Sequence, residues 1–148
     1  MGKVEKLPVI IDTREQEGHA WEFDADAFAP QVGTLRTGDY TVRGLEDVLT
    51  IERKTLGDFV SSVIHDWNRF RKALTRMAGF DAAVVVVEAS VRDVLEHTYQ
   101  SDANPLSVLG KAHAITLDYG IPCVFAGDRA AAILWAERFL LQASRKLI

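Results

Sequence analysis

The segment from Ala82 to Val87 constrains the fold of this chain more than any other, because it ends in four consecutive valines. Such a run leaves no polar face for water, so both faces of the strand that it forms must be covered. We therefore predict a central strand over residues 82–89, in which the first charge arrives at Glu88. A sheet that is covered by helices satisfies this requirement.

Strand-like and helix-like segments alternate along the rest of the chain. Short apolar stretches predict strands at 9–11, at 34–42 with a bend at Gly38, at 48–54 and at 123–126. Helical spacing and capping residues predict helices at 55–64, at 67–77, from Ser90, at 104–119 and from Asp128. The alternation indicates an α/β fold with a central mixed β-sheet flanked by helices, in which the early hairpin supplies antiparallel edges.

Length and composition indicate one globular domain. Of 148 residues, 48% are hydrophobic and 26% are charged, which is enough apolar surface for a single core. We expect one domain over residues 1–148, with a flexible N-terminus at 1–7. The longest strongly apolar run is far shorter than the ~20 residues that cross a bilayer, and the one cysteine cannot form an internal disulfide. These features favour the reducing cytoplasm and no membrane.

Two kinds of site are disfavoured by sequence patterns. The four histidines are scattered without the spacing of metal ligands, which argues against a zinc site. The phosphate-binding pattern Gly-x-x-x-x-Gly-Lys is absent, so no nucleotide cofactor is implied.

Charge is distributed unevenly along the chain. The formal net charge of −4 disfavours a protein that holds phosphate by bulk electrostatics. Residues 52–76 nevertheless contain six Lys and Arg residues against three Asp and Glu residues. From this excess we predict a DNA-binding row on the second helix, formed by Arg69, Arg71, Lys72 and Arg76. The alternative is a solvated helix face.

Charged residues that interrupt apolar strands form the candidate site. Asp12 and Asp39 stand at a strand end and at a bend, and one strand delivers Glu52, Arg53 and Lys54 in succession. Side chains of a strand alternate, so Glu52 and Lys54 share one face and Arg53 points to the other. Taken singly, each residue is explained by a turn or a solvated edge. Together they indicate a site, because charges at the ends of buried strands are costly unless they are paired or metal-bound.

This set of residues suits phosphodiester hydrolysis. The reaction needs charge neutralisation on the phosphate and an activated water, and Mg²⁺ held by one or two carboxylates supplies both. Asp39 and Glu52 fit as the ligands, and Asp12 could complete the acidic cluster. Lys54 would donate to the attacking water or to the phosphate, where negative charge grows in the transition state.

Three segments carry a resemblance to a known family: IDTRE at 11–15, GDY at 38–40 and IERKTLGD at 51–58. In this order and spacing they closely resemble the nuclease domain of XPF-type structure-specific endonucleases, within the PD-(D/E)XK nuclease superfamily. Residues 61–77 look like the family's helix pair and residues 84–88 like its central strand, so the likeness covers essentially the whole chain. It implies a restriction-endonuclease-like core.

The resemblance also implies roles for single residues. Asp39 and Glu52 would bind Mg²⁺, for which Mn²⁺ would substitute, with the backbone carbonyl of Arg53 as a further ligand. Lys54 would serve catalysis. Asp12 matches the acidic residue of the family's first motif, so it belongs to the catalytic set and is a further candidate ligand.

Four residues would support this set. Arg14 and Glu15 match the family's Arg-Glu pair, and the Arg53 side chain would contact phosphate or brace the site. Asp58 matches the last carboxylate of the motif. A catalytic role for Asp58 competes evenly with a structural one, in which Thr55 caps the first helix and Asp58 returns the hydrogen bond.

The resemblance implies a metal-dependent DNA endonuclease that acts on branched, flap or fork DNA in repair, recombination or replication. A second hypothesis is a DNA-binding or scaffolding subunit with little chemistry. Silent members of the family normally lose site residues, whereas this chain has all of them. A third hypothesis is a nuclease of the same superfamily that acts on DNA ends.

Partners follow from what the chain lacks relative to the family. Many members append a tandem helix-hairpin-helix domain, and we expect none within residues 1–148, as in a stand-alone bacterial or phage-like member. Without that domain, a protein partner would supply further DNA contacts, and the resemblance together with the apolar final helix implies a homodimer. The final helix is apolar almost all round, which suits a partner surface and equally suits packing on the sheet.

Overall fold

The computed structural model describes residues 5–15 and 19–148. Its strands are β1 (Leu7–Asp12), β2 (Phe28–Gly33), β3 (Tyr40–Val42), β4 (Leu49–Lys54), β5 (Ala82–Val87) and β6 (Cys123–Phe125). Its helices are α1 (Leu56–Val60), α2 (Trp67–Met77), α3 (Val91–Leu95), α4 (Pro105–Tyr119) and α5 (Arg129–Leu147). A 3₁₀ turn at Thr13–Glu15 follows β1, and a π-helical turn at Ser61–His65 follows α1.

The strands form one mixed sheet in the order β2-β1-β3-β4-β5-β6, which confirms the predicted α/β fold. Strand β3 is antiparallel to both β1 and β4, whereas the pairs β1–β2, β4–β5 and β5–β6 are parallel. The expectation that antiparallel strands form the edges is therefore wrong. The antiparallel pairs lie in the middle of the sheet, because β3 is inserted between β1 and β4.

The valine run is buried on both faces, as predicted. Val84 and Val86 belong to the core on the α5 side of the sheet, with Ala132, Ala136 and Leu140. Val85 and Val87 belong to the core on the other side, with Phe59 of α1, Leu74 of α2 and Ile115 of α4. All four valines have no exposed surface. The strand ends at Val87, so residues 88 and 89 lie just beyond it.

The N-terminal half of the sheet departs from the prediction in several places. Strand β2 was not predicted, because it is an edge strand in which only Phe28 is buried and Pro30 is exposed. Within the predicted strand 34–42 only Tyr40–Val42 is extended and paired. Of the predicted flexible N-terminus, residues 1–4 lie outside the described residues, and Leu7 opens β1 by pairing with Phe28.

The helices begin and end at the residues that capping chemistry favours. The Ser90 side chain and Asp93 form a complete capping box at α3, Asn104 caps α4, and Gly120 ends α4 with a φ of 70°. The predicted helix 55–64 is instead α1 followed by the π-helical turn. Within the described ranges, no helix combines the length and apolarity that crossing a membrane requires.

Candidate active site

Asp39 is held between two strands by its backbone. Its carbonyl accepts a hydrogen bond from Asp12 N–H at 2.9 Å, and its N–H donates to the Ile51 carbonyl at 2.8 Å. Gly38 allows the preceding bend, since its φ is +78° and a Cβ there would lie 1.8 Å from Thr50 Oγ1. The bend therefore sets the position of the Asp39 carboxylate.

The Asp39 carboxylate faces the end of β4. Its Oδ2 accepts a 2.8 Å hydrogen bond from the backbone N–H of Arg53. Burial raises the pKa of Asp39 well above its usual value, and the nearby charges of Glu52 and Glu15 raise it further. The structure thus brings Asp39 and Glu52 close enough to repel each other when both are ionised.

Glu52 and Lys54 lie on one face of β4. Lys54 Nζ is 3.5 Å from Glu52 Oε2, and both side chains are mostly buried. The Lys54 ammonium also lies 4.9 Å from the centre of the Phe70 ring. Burial raises the pKa of Glu52, while Lys54 and Arg14 act in the opposite direction. A carboxylate and an ammonium therefore share one site, as the alternation of β4 predicts.

Arg53 points to the opposite face and is 7% exposed. Its Nε donates to Glu88 Oε1 at 2.6 Å and its Nη1 donates to Glu15 Oε2 at 2.9 Å. Burial alone would lower the pKa of Arg53, but the hydrogen bonds to Glu88 and Glu15 raise it. Of the two roles expected for this side chain, the geometry favours bracing over contact with phosphate.

The backbone of Arg53 serves the site directly. In a strand, the N–H and C=O groups of one residue leave the chain toward the same neighbour. Because the Arg53 N–H bonds to Asp39, the Arg53 carbonyl faces the same edge of β4. That direction is consistent with the predicted carbonyl ligand.

Asp12 is fully buried, and both of its carboxylate oxygens have partners. Oδ1 accepts a hydrogen bond from the backbone N–H of Leu35 at 2.8 Å. Oδ2 accepts one from the side-chain Nε of Arg14 at 2.6 Å and one from the backbone N–H of Arg14 at 3.3 Å. Burial would raise the pKa of Asp12, but these hydrogen bonds lower it. Asp12 thus anchors Arg14, and its predicted role as a metal ligand stays a prediction.

Arg14 and Glu15 flank the site from the 3₁₀ turn. The hydrogen bond to Asp12 raises the pKa of Arg14, and the charges of Asp39 and Glu52 add to that effect. The 70% exposed Arg14 side chain therefore carries positive charge close to these two carboxylates. Glu15 accepts hydrogen bonds from Arg53 and, at 2.8 Å, from Tyr40 Oη.

Asp58 lies in the first turn of α1 and is exposed. Its backbone N–H donates to Thr55 Oγ1 at 3.2 Å. Of the two predicted hydrogen bonds between these described residues, only this one forms. Asp58 contributes its backbone to the helix cap, and a catalytic role stays a prediction.

The donor atoms at the site fit a hard divalent cation. No three His, Cys, Asp or Glu residues converge on one point in the described part of the chain, so the candidate centre rests on two carboxylates and a carbonyl. Mg²⁺ is commonly held by one or two carboxylates and keeps several waters. A bound cation would offset the negative charge of Asp39 and Glu52 and so relieve the repulsion between them.

The basic residues of α2 divide into two groups. All four are exposed. At ~100° per residue, Arg69, Lys72 and Arg76 occupy a sector of roughly 60°, while Arg71 lies on the opposite flank of the buried stripe. Arg76 Nε donates to Thr37 Oγ1 at 3.3 Å, next to the bend that positions Asp39. The predicted row therefore consists of three residues, and Arg71 does not belong to it.

Three residues outside the predicted set complete the surroundings of Arg53. One is Glu88, whose carboxylate accepts a hydrogen bond from Arg53. The other two are Trp21 and Arg129, which contact the same carboxylate. A charge directly after a buried valine run was the one available signal for Glu88. The other two contacts join residues that are far apart in the chain, so no local pattern indicates them.

Comparison with known proteins reveals both sequence and structural relatives. Over 125 residues the chain is 30% identical to the Methanocaldococcus jannaschii protein named "Putative ATP-dependent RNA helicase MJ1505". The match spans 83% of this chain and 14% of that protein, so the chain corresponds to a small part of it.

Two solved structures share the fold with a TM-score of 0.70: XPF from Aeropyrum pernix and the same protein in complex with DNA. The sequence identities are 23% and 22%, over 92% and 95% of this chain. The matches cover 61% and 66% of the solved chains, less than two thirds of each. The predicted XPF-like fold is thereby confirmed. Residues 11–139 match the model of the ERCC4 domain, and this chain therefore belongs to the ERCC4 domain family.

Proposed function

We propose that this chain is a metal-dependent DNA endonuclease domain. The observation that carries the proposal is the 2.8 Å hydrogen bond from Arg53 N–H to Asp39 Oδ2, which places that carboxylate at the end of β4 next to Glu52, with the Lys54 ammonium 3.5 Å from Glu52. Membership of the ERCC4 domain family supports nuclease chemistry. The similar XPF from Aeropyrum pernix has been solved in complex with DNA, which supports DNA as the substrate.

Asp39 and Glu52, with the Arg53 carbonyl, would hold Mg²⁺ or Mn²⁺. When bound, the cation would neutralise phosphate charge and lower the pKa of a water that attacks phosphorus. Attack by this water in line with the P–O3′ bond would form a new P–O bond, break P–O3′ and leave 5′-phosphate and 3′-hydroxyl ends.

The residues of the chain orient and stabilise this reaction. The Lys54 ammonium lies beside Glu52 and would donate to the attacking water or to the phosphate. The Arg14 guanidinium, anchored by Asp12, adds positive charge on the exposed side of the site. The Arg53 N–H fixes the orientation of the Asp39 carboxylate.

DNA would approach along α2. Arg69, Lys72 and Arg76 form a basic row whose last member touches the loop that carries Asp39. Phosphates that follow this row reach the site with their charge neutralised. By the family resemblance, the preferred substrates would be branched, flap or fork DNA formed during repair, recombination or replication.

A partner would cover the apolar side of α5. A groove of about 870 Å³ lies between α5 and the edge strand β6, lined by Val124, Phe125, Leu134, Trp135 and Phe139. The two sides of α5 differ: Ala132, Ala136 and Leu140 are core residues, whereas Leu134 is 60% exposed. We propose a homodimer, or a protein partner with further DNA contacts, on this face. Light scattering that shows only a monomer would count against the homodimer.

A cleavage panel tests the proposed activity. Nicked, flap and fork DNA, together with circular duplex DNA, would be incubated with Mg²⁺, with Mn²⁺ or without metal. We expect metal-dependent cutting that includes the circular substrate, and loss of cutting in Asp39→Asn and Lys54→Ala. The matched controls are Asp47→Asn and Lys6→Ala, which change exposed residues away from the site.

The outcomes separate the alternatives. Equal cutting by the site variants and the wild type would refute the assignment of these residues. DNA binding without cutting would favour a scaffolding subunit, and cutting restricted to DNA with ends would favour an end-acting nuclease.

A further inference from the structure

A buried ion-pair network lies on the face of β4 opposite the candidate site. The side chains of Arg53 and Glu88 are 7% and 8% exposed, and their Nε and Oε1 atoms are 2.6 Å apart. The same Oε1 accepts a 2.6 Å hydrogen bond from Trp21 Nε1. Glu88 is therefore shared by a guanidinium and an indole.

Aromatic rings hold the Arg53 guanidinium from another side. Its central carbon lies 5.7 Å from the centre of the Trp21 ring. Trp21 stacks on Tyr40 with a centroid distance of 4.7 Å, and the Tyr40 hydroxyl donates to Glu15, the second carboxylate on Arg53. The guanidinium is thus fixed in position by two carboxylates and one indole ring.

The charges of this network balance within the protein. Arg53 and Arg129 oppose Glu15 and Glu88, with Arg129 Nη1 at 3.7 Å from Glu88 Oε1. A neutral, mostly buried cluster has no spare positive charge for an anion, so Arg53 is not available to a DNA phosphate. The network needs a different explanation from substrate binding.

The network reaches the site through the backbone of β4. The Arg53 N–H holds Asp39 Oδ2 at 2.8 Å, and the Glu88 N–H donates to the Lys54 carbonyl at 2.9 Å. Glu88 therefore restrains two consecutive residues of β4, one by its side chain and one by its backbone. Loosening the Arg53 side chain would release the amide that orients Asp39.

We propose that Glu88 and Trp21 are positioning residues that fix Arg53, and through its backbone amide the Asp39 carboxylate, in the geometry that a divalent cation requires. This inference rests on the proposed function. Partners that orient metal ligands commonly change metal affinity by about 10- to 100-fold when they are mutated. Glu88 and Trp21 are expected to act in that range.

Two conservative variants test the proposal. Glu88→Gln keeps the shape and the acceptor oxygen but removes the charge, and Trp21→Phe keeps an aromatic ring but removes the N–H donor. The control is Glu137→Gln, since Glu137 accepts a 2.7 Å hydrogen bond from Asp24 N–H outside the Arg53 network. We expect Mn²⁺ affinity, measured by calorimetry, to fall about tenfold or more in the first two variants and to stay unchanged in the control.

Amide hydrogen exchange in the metal-free protein gives an independent readout. The Arg53 amide should exchange roughly tenfold faster in both test variants, since its hydrogen bond to Asp39 is loosened. The Leu35 amide, which bonds to Asp12, should keep its rate. General destabilisation would instead speed exchange at both positions.

The proposal would be overturned if both variants kept the Mn²⁺ affinity and the Arg53 amide exchange rate of the wild type, even if their thermal stability fell. If one variant does not fold, the other still decides. A wild-type protein that neither binds Mn²⁺ nor cuts DNA would refute the proposed function, whereas the exchange measurement would still report whether Glu88 and Trp21 fix Arg53.

Discussion

The backbone N–H of Arg53 donates a 2.8 Å hydrogen bond to the carboxylate of Asp39, although the Arg53 side chain points to the other side of the sheet. This relationship explains the order Glu-Arg-Lys in β4. Glu52 and Lys54 present side chains to the site, and the residue between them contributes its backbone. The alternation of a strand thus lets three consecutive residues contribute to the candidate site, two by their side chains and one by its backbone.

Neutralising Asp39 should stabilise the metal-free protein. Burial and the charge of Glu52 raise the pKa of Asp39, so the folded state favours the protonated carboxyl. Protonated Asp39 therefore adds to the free energy of unfolding at low pH, and this addition is lost as the pH rises through the raised pKa. We expect Asp39→Asn to increase the free energy of unfolding by roughly 1 kcal/mol at about pH 8, with a smaller gain at about pH 4. Urea unfolding in EDTA measures this difference.

Adding Mg²⁺ should reverse that order of stability. At 100 times its Kd, a ligand stabilises the folded state by about 2.7 kcal/mol, and Asp39→Asn should gain much less than the wild type. The exposed Asp47→Asn variant should follow the wild type with and without metal. A less stable Asp39→Asn protein in EDTA would contradict the raised pKa.

Removing Lys54 should shift metal binding to higher pH. Burial raises the pKa of Glu52 and the Lys54 ammonium lowers it, so Lys54→Ala should raise the Glu52 pKa further. Because a cation binds the ionised carboxylate, Mn²⁺ affinity should then need a higher pH to reach its plateau. Calorimetric titrations across a pH series measure the shift, and Lys6→Ala is the control.

Lys54→Ala should also lower kcat by about 10²- to 10³-fold, the range for removal of one group that stabilises transition-state charge. This loss should persist at pH values where metal binding is saturated. A kcat that recovers fully at high pH would mean that Lys54 acts only through Glu52.

Local patterns in the sequence predict part of this site. Alternation along β4 places Glu52 and Lys54 together, and the valine run indicates a strand that is buried on both faces, which is β5. The Thr55 and Ser90 caps follow from short-range chemistry. Each of these features depends on residues within a few positions of one another.

The features that were missed depend on contacts between distant residues. The Asp12 carboxylate accepts a hydrogen bond from Leu35 N–H, 23 positions away, and the Glu88 carboxylate accepts one from Trp21, 67 positions away. Strand β2 carries little apolar signal because it is an edge strand with one buried residue. Tertiary packing decides these positions, so periodicity and spacing do not indicate them.

Replacing Gly38 should disturb the site more than replacing a glycine of similar conformation elsewhere. Gly38 and Gly120 have φ values of +78° and +70°. A Cβ at Gly38 would lie 1.8 Å from Thr50 Oγ1, whereas a Cβ at Gly120 would have no neighbouring atom within 4 Å. Gly120→Ala should cost about 1 kcal/mol of stability from strain alone. Gly38→Ala should cost more and should also weaken Mn²⁺ binding, because the bend carries Asp39.

Thermal unfolding and calorimetry compare these two variants. A second substitution, Thr50→Ala, should recover part of the loss in Gly38→Ala, since it removes the atom nearest to the new Cβ. Equal losses of stability in the two single variants would show that the clash with Thr50 is relieved by movement.

Adjacent residues on α2 should differ in their effect on DNA binding. Lys72 lies about 40° from Arg76 around the helix axis and Arg71 about 140° from it, and both are exposed. If phosphates follow the row that ends at Thr37, Lys72→Ala should weaken binding to every DNA sequence alike. It should also reduce the slope of log Kd against log salt concentration by about 1. Arg71→Ala should leave both quantities close to wild type, because its side chain projects from the other flank. Fluorescence anisotropy at several salt concentrations measures both quantities, and equal effects of the two substitutions would remove the basis for a DNA path along one side of α2.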